Sequence, residues 1–257
     1  MGTTRKEGSL YTRLNGGLAI LEFGHPSSNS LNSERLSRLC KEIESLGANT
    51  EIALILIQSE GDRAFCAGAS FDELLEISTP EQSTAFFNGF ARLINSMRTC
   101  PIPIIGKVHG KAVGGGVGLI ASCDYVMASD KASLRLSEIG LGIAPLVIAP
   151  AVERKAGVSG LAELALAPSE WKSAYWARER GLFSKVFESR SDLDKETEFF
   201  AADLASHSRD ALMLMKRALW EGTEHWDDLL TSRAAMTGKL ALSQTTQQTI
   251  SAFKKKR

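Results

Sequence analysis

The stretch KAVGGGVG, residues 111–118, decides how this chain folds and where it can hold a ligand. A short apolar strand runs into three consecutive glycines and then directly into the helix-like segment LIASC at 119–123. Adjacent glycines at a strand-to-helix junction leave backbone N–H groups uncovered, because no side chain blocks a ligand and the first N–H groups of a helix have no internal acceptor. The junction is therefore predicted to bind an oxyanion.

A second junction of the same kind lies upstream. The segment AFCAGA, residues 64–69, follows the strand-like segment ALILI at 53–57. If backbone N–H groups from both junctions converge on one carbonyl oxygen, they form an oxyanion hole, in which each donor stabilises the transition state by ~3 kcal/mol. The pair favours this interpretation over either junction alone.

Two alternatives remain open for the glycines. Each run could serve only as a turn or as a close contact between a helix and a strand. The second junction also fits the dinucleotide pattern G-x-G-x-x-A from Gly116 to Ala121, with Asp130 downstream. The dinucleotide interpretation is the weaker one, because that fingerprint normally follows its strand directly and because it leaves the first junction unexplained.

Composition excludes several classes of function. The 257 residues carry 30 basic and 30 acidic side chains, so the charge balance supports neither nucleic acid nor an anionic membrane as the main partner. The four cysteines, at 40, 66, 100 and 123, have no metal-binding spacing, which argues against a metal site and against a disulfide scaffold. No secretory or membrane-spanning apolar stretch is visible, and we expect a cytoplasmic protein with reduced thiols.

Hydrophobic periodicity predicts an α/β core followed by helices. The predicted strands cover residues 18–23, 53–57, 104–108, 125–128 and 133–136. Two helices are predicted at 32–46, opened by Asn32 and Ser33, and at about 80–98. Beyond about residue 145 the strand signals fade into amphipathic segments around 161–166, 171–179, 193–204, 211–220 and 226–242. We place a core at residues 1–190 and a helical C-terminal region at 191–257.

Three ordered motifs resemble the crotonase superfamily, which contains the enoyl-CoA hydratases and isomerases. They are FCAGASFD at 65–72, PIIGKVHGKAVGGG at 103–116 and CDYVMA at 123–128. The likeness extends from the turn NSLN at 29–32 to the C-terminal helices. It implies an α/β fold with a crotonase-like β/α spiral core and a C-terminal helical trimerisation region, assembled as a homotrimer or a dimer of trimers.

Self-association is also expected from the residues themselves. Six apolar side chains near the C-terminus offer more apolar surface than a helical tail can cover on its own core. They are Trp226, Leu229, Leu230, Met236, Leu240 and Leu242.

The proton-transfer group is predicted to be Glu138. The resemblance implies that Ala69 and Gly115 donate their N–H groups to a thioester carbonyl, and that a catalytic glutamate stands at position 138. Its apolar neighbours should raise its pKa, which suits general acid–base work near neutrality. The alternative is an exposed glutamate that caps a helix or forms an ion pair with Arg135. The implied substrate is an acyl-CoA thioester, and no separate cofactor is expected.

Further residues are expected around the substrate. Those beside the two junctions are Ala67, Gly68, Ser70, Phe71, Asp72, Gly114 and Gly118. Asp72 is interpreted first as the cap of a helix that follows the turn. The resemblance implies that Phe253 and Lys256 contact the CoA adenine and phosphate of a neighbouring subunit, against the alternative of a solvated basic tail. Cys66 is interpreted as a small buried residue rather than a nucleophile.

The sequence departs from the family at Gly118, where many hydratases carry a second glutamate. Hydration usually divides its two proton transfers between two carboxylates, whereas a double-bond shift needs one. The loop GIAPLVIAP at 142–150 is unusually apolar and resembles the branch that hydrates branched 2-enoyl-CoA intermediates of leucine breakdown. Hydration of a 2-enoyl-CoA is the first expectation. A 3-enoyl to 2-enoyl-CoA isomerase and a catalytically silent acyl-CoA-binding homologue are the alternatives.

Overall fold

The computed structural model describes residues 8–255, and for residues 253–255 it describes the backbone alone. Six strands form the larger sheet: β1 (Ser9–Asn15), β2 (Leu18–Gly24), β3 (Leu54–Ser59), β5 (Ile104–Val108), β7 (Tyr125–Ser129) and β10 (Lys185–Phe187). Their order across the sheet is β1-β2-β3-β5-β7-β10. Only β1 and β2 pair antiparallel, and the other neighbours are parallel.

A second, smaller sheet contains four short strands: β4 (Ala64–Cys66), β6 (Lys111–Val113), β8 (Ser133–Arg135) and β9 (Lys172–Ser173). Their order is β4-β6-β8-β9, with the first three parallel and β9 antiparallel to β8. The strands β3 and β4, β5 and β6, and β7 and β8 follow each other along the chain in pairs. Each pair gives one strand to each sheet, so the chain winds as a spiral.

Helices complete the turns of this spiral and then continue to the C-terminus. They are α1 (Ser33–Ala48), α2 (Phe71–Glu76), α3 (Pro80–Thr99), α4 (Gly115–Ala121), α5 (Ala149–Ala165), α6 (Ala174–Glu179), α7 (Arg190–Ala205), α8 (Arg209–Leu219), α9 (Trp226–Ala241) and α10 (Gln244–Lys255). The α/β spiral fold expected from the sequence is confirmed.

Local sequence explains where the long helices begin. The side chain of Asn32 accepts a hydrogen bond from the backbone N–H of Arg35 and caps α1, as expected. Thr79 and Gln82 form a reciprocal capping box at the start of α3. The predicted bounds of both helices and of β2, β3, β5, β7 and β8 agree with the structure to within two residues.

The sequence analysis missed four strands and part of one helix. Strand β1 lies at the edge of the large sheet and exposes Tyr11 and Leu14, so its pattern is that of a surface segment. The strands β4, β9 and β10 have only two or three residues each, too few for a periodic signal. The predicted helix at 161–166 is the end of α5, which breaks at Gly157, where φ is +70°.

The C-terminal helices pack on the spiral within the same chain. On the face of the large sheet, Ala201 of α7 is buried with Leu18 and Leu54, and Phe200 stacks on Tyr125 with ring centroids 4.9 Å apart. Helix α9 lies against α3, where Ser83 Oγ donates a hydrogen bond to the carbonyl oxygen of Gly238. The proposed division at residue 190 stays a prediction.

A buried polar cluster around Asp124 joins α8 to the spiral. The carboxylate accepts hydrogen bonds from the backbone N–H of Ile104 at 2.7 Å, Lys216 Nζ at 2.8 Å and Trp220 Nε1 at 2.6 Å. Both charged side chains of the Asp124–Lys216 pair are nearly fully buried. Removal of one partner alone would leave an uncompensated buried charge, so this cluster fixes the position of α8.

The apolar set expected to drive self-association is mostly covered by the chain itself. Trp226 and Leu230 are buried in the core, and Leu229 and Leu242 pack against it. Of the six, Met236 and Leu240 remain exposed. The expectation of a large free apolar surface is wrong for the buried members, because they belong to the hydrophobic core of the chain itself.

The described part of the chain contains neither a membrane-spanning helix nor a cluster of metal-binding side chains. None of its helices is long and apolar enough to cross a membrane. Within residues 8–255, no group of three or more His, Cys, Asp or Glu side chains could hold a metal ion.

Candidate active site

The first glycine junction lies in the turn after β4. Leu31 forms a parallel bridge with Ala69: its N–H donates to the carbonyl oxygen of Gly68 at 2.7 Å, and its own carbonyl accepts from the N–H of Ser70 at 2.9 Å. In a parallel ladder these bonds leave the N–H of the bridged residue pointing to the opposite side. The N–H of Ala69 therefore faces away from Leu31.

The second junction is the start of α4. Gly114 has φ +54° and ψ −118°, and its N–H donates to the carbonyl oxygen of Arg135 at 3.0 Å. Gly115 is the first helical residue, and no side chain caps this end. Its N–H has no acceptor inside the helix, because the first-turn N–H groups of a helix lack one.

The two junctions meet. Gly68 has φ +80°, and a Cβ atom at this position would lie 2.6 Å from the carbonyl oxygen of Val113 and 3.2 Å from the backbone nitrogen of Gly115. Only glycine allows both this backbone conformation and this close approach. The turn after β4 thus packs directly against the N-terminus of α4.

The carboxyl group of Glu138 lies against the same corner. A Cβ atom at Gly114 would stand 2.5 Å from Glu138 Oε1, so glycine leaves the space that the carboxyl group occupies. Glu138 follows β8 and begins the tight turn Ile139–Leu141, where its carbonyl oxygen accepts hydrogen bonds from Leu141 and Ile143 at 2.9 Å. This turn holds the glutamate in place.

Burial dominates the electrostatics of Glu138. The residue as a whole is half-buried, but its Oε2 atom is fully enclosed and accepts no hydrogen bond from the described residues. Burial raises the pKa of Glu138 from 4.5 to about 7, although the positive charge of Arg135 acts in the opposite direction. The carboxyl group can therefore both accept and release a proton near neutral pH.

A pocket of about 90 Å³ connects the corner with an apolar wall. Of the residues that the structure describes, Arg135 and Glu138 are the only charged ones that line it. The lining residues of the wall are Leu74, Phe87, Phe90, Leu141, Ile143, Pro145, Leu146, Val147 and Ile148. A small apolar pocket that ends in one carboxyl group suits the acyl part of a thioester better than a charged metabolite.

Gly118 does not line this pocket. It is buried one turn into α4, and a Cβ atom there would overlap Cγ2 of Ile148. Ile148 does line the pocket and is itself buried. The place that a side chain at position 118 would need is thus filled by Ile148.

The structure places some of the other residues predicted from sequence on the pocket and others away from it. Ala67 and Phe71 line the pocket with Gly68, Ala69, Gly114 and Gly115. Ser70 is buried beside it and accepts a hydrogen bond from the N–H of Glu73 as the cap of α2. Asp72 is exposed, so the expected cap at Asp72 is wrong; it lies in the first turn of the helix that Ser70 caps. The Phe253 side chain and Lys256 lie outside the described residues.

Two further side chains with reactive groups, Cys66 and His109, do not line the pocket. Burial raises the pKa of Cys66 to about 12, so its thiol stays protonated, as expected of a packed cysteine. His109 is buried, and burial lowers its pKa to about 4. Neither of its ring nitrogens has a hydrogen-bond partner within residues 8–255, and it is neutral at physiological pH.

Sequence reasoning missed three contributors to the site. Arg135 was considered only as an ion-pair partner of Glu138, and the structure places it on the pocket wall with its guanidinium 4.5 Å from the ring centroid of Trp171. Phe90 was counted only among the apolar residues of the helix at 80–98, and Ile148 only as part of the apolar loop at 142–150. Arg135 ends β8 three positions before Glu138, which is the signal that could have identified it.

Comparison with known proteins identifies the family of the chain. Residues 13–257 match the model of the enoyl-CoA hydratase/isomerase family. The chain belongs to this family. It is thereby a member of the crotonase superfamily, as its motifs suggested.

The relatives in this family carry names of both reaction types. A probable enoyl-CoA hydratase from Bacillus subtilis is 28% identical over 93% of this chain and 93% of its own length. A peroxisomal Delta(3,5)-Delta(2,4)-dienoyl-CoA isomerase from Arabidopsis thaliana is 29% identical over 76% of this chain and 74% of its own. The crystal structure of an enoyl-CoA hydratase from Bacillus halodurans superposes with a TM-score of 0.87 at 19% identity, over 95% of this chain and 99% of the other. The family members thus support enoyl-CoA hydration or isomerisation without separating the two.

Proposed function

We propose that the protein adds water to a 2-enoyl-CoA thioester and forms a 3-hydroxyacyl-CoA. The observation that carries the proposal is the position of Glu138: a carboxyl group with a pKa of about 7 lies directly against the glycine turn that begins α4. The coenzyme A enters as part of the substrate, and the proposal includes no further cofactor.

The thioester oxygen binds at the meeting point of the two glycine junctions. The N–H groups of Ala69 and Gly115 act as its donors, the first because it faces away from Leu31 and the second because it begins α4. Negative charge develops on this oxygen when the α-carbon becomes enolate-like. Two fixed donors in an apolar pocket stabilise that charge more than they stabilise the neutral carbonyl.

Glu138 handles both protons of the reaction. In its ionised form it takes a proton from a water molecule as that water attacks the β-carbon. In its protonated form it then returns a proton to the α-carbon, so that H and OH add across the double bond. The reaction starts from the ionised form, and the proton taken from water produces the protonated form that the second step uses; a pKa of about 7 suits both roles near neutral pH.

Isomerisation of a 3-enoyl-CoA to a 2-enoyl-CoA is the second candidate. It is favoured by one specific observation: among the described residues Glu138 is the only one with a carboxyl group on the pocket lining, and Ile148 fills the space beside Gly118. A double-bond shift needs a single base that removes a proton from one carbon and returns it to another. The relative named as a dienoyl-CoA isomerase is consistent with this alternative.

Turnover in water labelled with ¹⁸O separates the candidates. Hydration of crotonyl-CoA places one ¹⁸O atom at C3 of the product, whereas isomerisation of 3-butenoyl-CoA moves the double bond and incorporates no ¹⁸O. We expect ¹⁸O incorporation at C3. An enzyme that shifts the double bond faster than it adds water is an isomerase, and one that binds both thioesters without turnover is a silent acyl-CoA binder.

We propose a homotrimer or a dimer of trimers as the assembly. The exposed side chains Met236 and Leu240 on α9, with Leu214 and Met215 on α8, are the apolar surface left for subunit contact. Light scattering coupled to gel filtration should return a mass three or six times 27.8 kDa. A monomer at micromolar concentration contradicts this assembly.

A further inference from the structure

We propose that the pocket selects short acyl groups of about four to five carbons, and that Phe87 on α3 sets this limit by closing the end of the pocket that lies away from the corner. The proposal rests on the proposed function, which places the thioester carbonyl at the corner and the acyl chain in the pocket. It adds a substrate class and a specificity-determining residue to that site.

Helix α3 runs along the pocket, away from the corner. Phe90 lies at the corner, because a Cβ atom on Gly115 would overlap its ring. Phe87 precedes it by one helical turn, about 4.5 Å along the helix axis, and also lines the pocket. Ser83 lies one turn further, where its Oγ donates to the carbonyl oxygen of Gly238 on α9 at 2.9 Å. The order along α3 is therefore the corner, Phe87 and the contact with α9.

Helix α9 closes the pocket beyond Phe87. A Cβ atom at Gly238 would lie 3.1 Å from a backbone nitrogen of α3, so the two helices are in direct contact there. The preceding residue, Thr237, lines the pocket and is buried, as Phe87 is. At the corner, Ala69 and Glu138 are only half-buried. The pocket is thus open beside the corner and closed where α3 meets α9.

The ring of Phe87 is held in place from behind. Phe86 is buried, and its ring meets that of Phe87 edge to face, with the centroids 5.3 Å apart. The same ring of Phe86 meets that of Phe90 with the centroids 5.8 Å apart. In a close-packed interior, Phe87 cannot turn out of the pocket unless these three rings repack. Phe87 therefore acts as a fixed end wall.

The volume of the pocket sets the size of the chain that fits. The pocket measures about 90 Å³. An apolar cavity of ~150 Å³ in another protein holds benzene, which has six carbons. By that measure the pocket has room for ~3 to 4 carbons beyond the thioester carbonyl. A longer chain must either displace Phe87 or leave the pocket over the half-buried loop at 144–146.

Binding of saturated thioesters tests this limit without turnover. Butyryl-CoA and octanoyl-CoA share the same coenzyme A and can be neither hydrated nor isomerised, so the ratio of their calorimetric affinities reports the acyl chain alone. Where a pocket accepts a longer chain, each additional buried CH₂ group raises the affinity ~4-fold. We expect the opposite in the wild type: octanoyl-CoA should bind at least ~10-fold more weakly than butyryl-CoA, because it overpacks the pocket.

Two results would overturn the proposal. Equal affinities would mean that the longer chain leaves over the loop at 144–146, and tighter binding of octanoyl-CoA would mean that the pocket extends beyond Phe87. Either result counts against the size limit even if the protein hydrates crotonyl-CoA. Conversely, a product of crotonyl-CoA without ¹⁸O overturns hydration and leaves the size limit to be decided by binding.

Substitutions assign the limit to one side chain. Phe87→Ala removes the ring and makes space for the additional CH₂ groups, so it should raise the affinity for octanoyl-CoA at least ~10-fold and change that for butyryl-CoA less than ~3-fold. Phe86→Leu is the control, because Phe86 precedes Phe87 on the same helix but does not line the pocket. It should keep the preference for butyryl-CoA. Loss of the preference in Phe86→Leu, or rejection of octanoyl-CoA by Phe87→Ala, contradicts the assignment.

A smaller change keeps the test open if Phe87→Ala fails to fold. Phe87→Leu leaves an apolar side chain in the core and is matched to Phe86→Leu in the atoms that it removes. It should reduce the preference for butyryl-CoA over octanoyl-CoA by ~3-fold or more, the effect of about one CH₂ group. An unchanged preference in a folded Phe87→Leu protein would show that this ring does not set the limit.

Discussion

The two sides of the pocket are built by different means. One side is a corner of backbone and a single carboxyl group, made by the turns at Gly68 and Gly114 and by Glu138. The other side is a wall of apolar side chains that come from α3 and from the loop at 143–148. The corner depends on conformations that a few adjacent residues set, whereas the wall depends on how distant segments pack.

This difference assigns different roles to the two sides. The corner holds the groups that can stabilise charge and move protons, so its substitutions should change the rate. The wall excludes water and sets the space for the acyl group, so its substitutions should change stability and the choice of substrate. Variants on each side can test whether the division holds.

The largest effect is expected for Glu138→Gln. Glutamine keeps the shape of the side chain but cannot exchange a proton, so turnover of the native substrate should fall by ~10²- to 10⁴-fold. Steady-state rates with a 2-enoyl-CoA and a 3-enoyl-CoA measure this. Glu76→Gln, an exposed carboxyl in the same region on α2, is the control and should keep full activity. A folded Glu138→Gln variant with full activity on both substrates would show that the corner does not hold the proton-transfer group.

The next effect concerns the backbone donor at Gly115. A Cβ atom at this position would overlap the ring of Phe90, and a valine side chain would obstruct the thioester oxygen. Gly115→Val should therefore lower turnover by at least ~100-fold, the size of one oxyanion-hole donor. Circular dichroism checks that the variant folds, and Gly140→Ala, whose Cβ would make an ordinary 3.7 Å contact with Pro168, is the control. Near-normal turnover in a folded Gly115→Val protein contradicts the oxyanion assignment.

Sequence reasoning predicted the corner because its signals are local. Glycine at 68 and 114 is required by positive φ values, and those residues stand in short recognisable motifs. Glu138 was identified from the family resemblance, which implies a catalytic glutamate before the glycine-containing turn, and its apolar neighbours supported the raised pKa. The approach of the two junctions to each other followed from the family resemblance, since no periodic pattern encodes the distance between Gly68 and Gly115.

There is a physical reason why the sequence could not predict the wall. Phe90 and Ile148 are apolar residues of the kind that any core contains, and only the packing of the chain decides which of them faces a cavity. The alternative interpretation of Glu138 made Arg135 its ion-pair partner, whereas the guanidinium of Arg135 lies 4.5 Å from the ring centroid of Trp171, in the connection between α5 and β9. Ser70 rather than Asp72 caps α2 because the helix begins at Phe71, two residues earlier than a cap at Asp72 requires.

A third effect is a dependence of stability on pH that comes from the corner. Burial raises the folded-state pKa of Glu138 to about 7, above the value of 4.5 for an exposed carboxyl. Below pH 4.5 the group is protonated in both states and has no effect on stability. As the pH rises from 4.5 to above 7, the unfolded chain ionises more readily than the folded one, so the fold loses about 3 kcal/mol, at 1.36 kcal/mol per pKa unit.

Chemical denaturation at pH 5 and pH 8 measures this effect in the wild type and in Glu138→Gln. The variant cannot ionise at position 138, so it does not lose this stability as the pH rises. The free energy of unfolding of the variant minus that of the wild type should therefore be larger at pH 8 than at pH 5. An equal difference at both values would mean that Glu138 is not held in an apolar environment. Turnover by the wild type should rise with pH through about 7, since the ionised carboxylate is the base.

The smallest effect is expected where the corner and the wall touch, at Gly118 and Ile148. Gly118→Glu alone should lower both hydration and stability, because its Cβ atom would overlap Ile148 Cγ2 in a buried contact.

Gly118→Glu combined with Ile148→Ala removes that overlap and opens a path for the new carboxylate to reach the pocket. Compared with Ile148→Ala alone, the double variant should raise hydration several-fold more than isomerisation, because only hydration uses a second group on the water. A double variant with an unchanged ratio of the two rates would show that Ile148 fills space without deciding the reaction. If the single Gly118→Glu variant is already faster in hydration, Ile148 moves aside readily. Packing at position 148 then does not keep a second carboxylate out of the pocket.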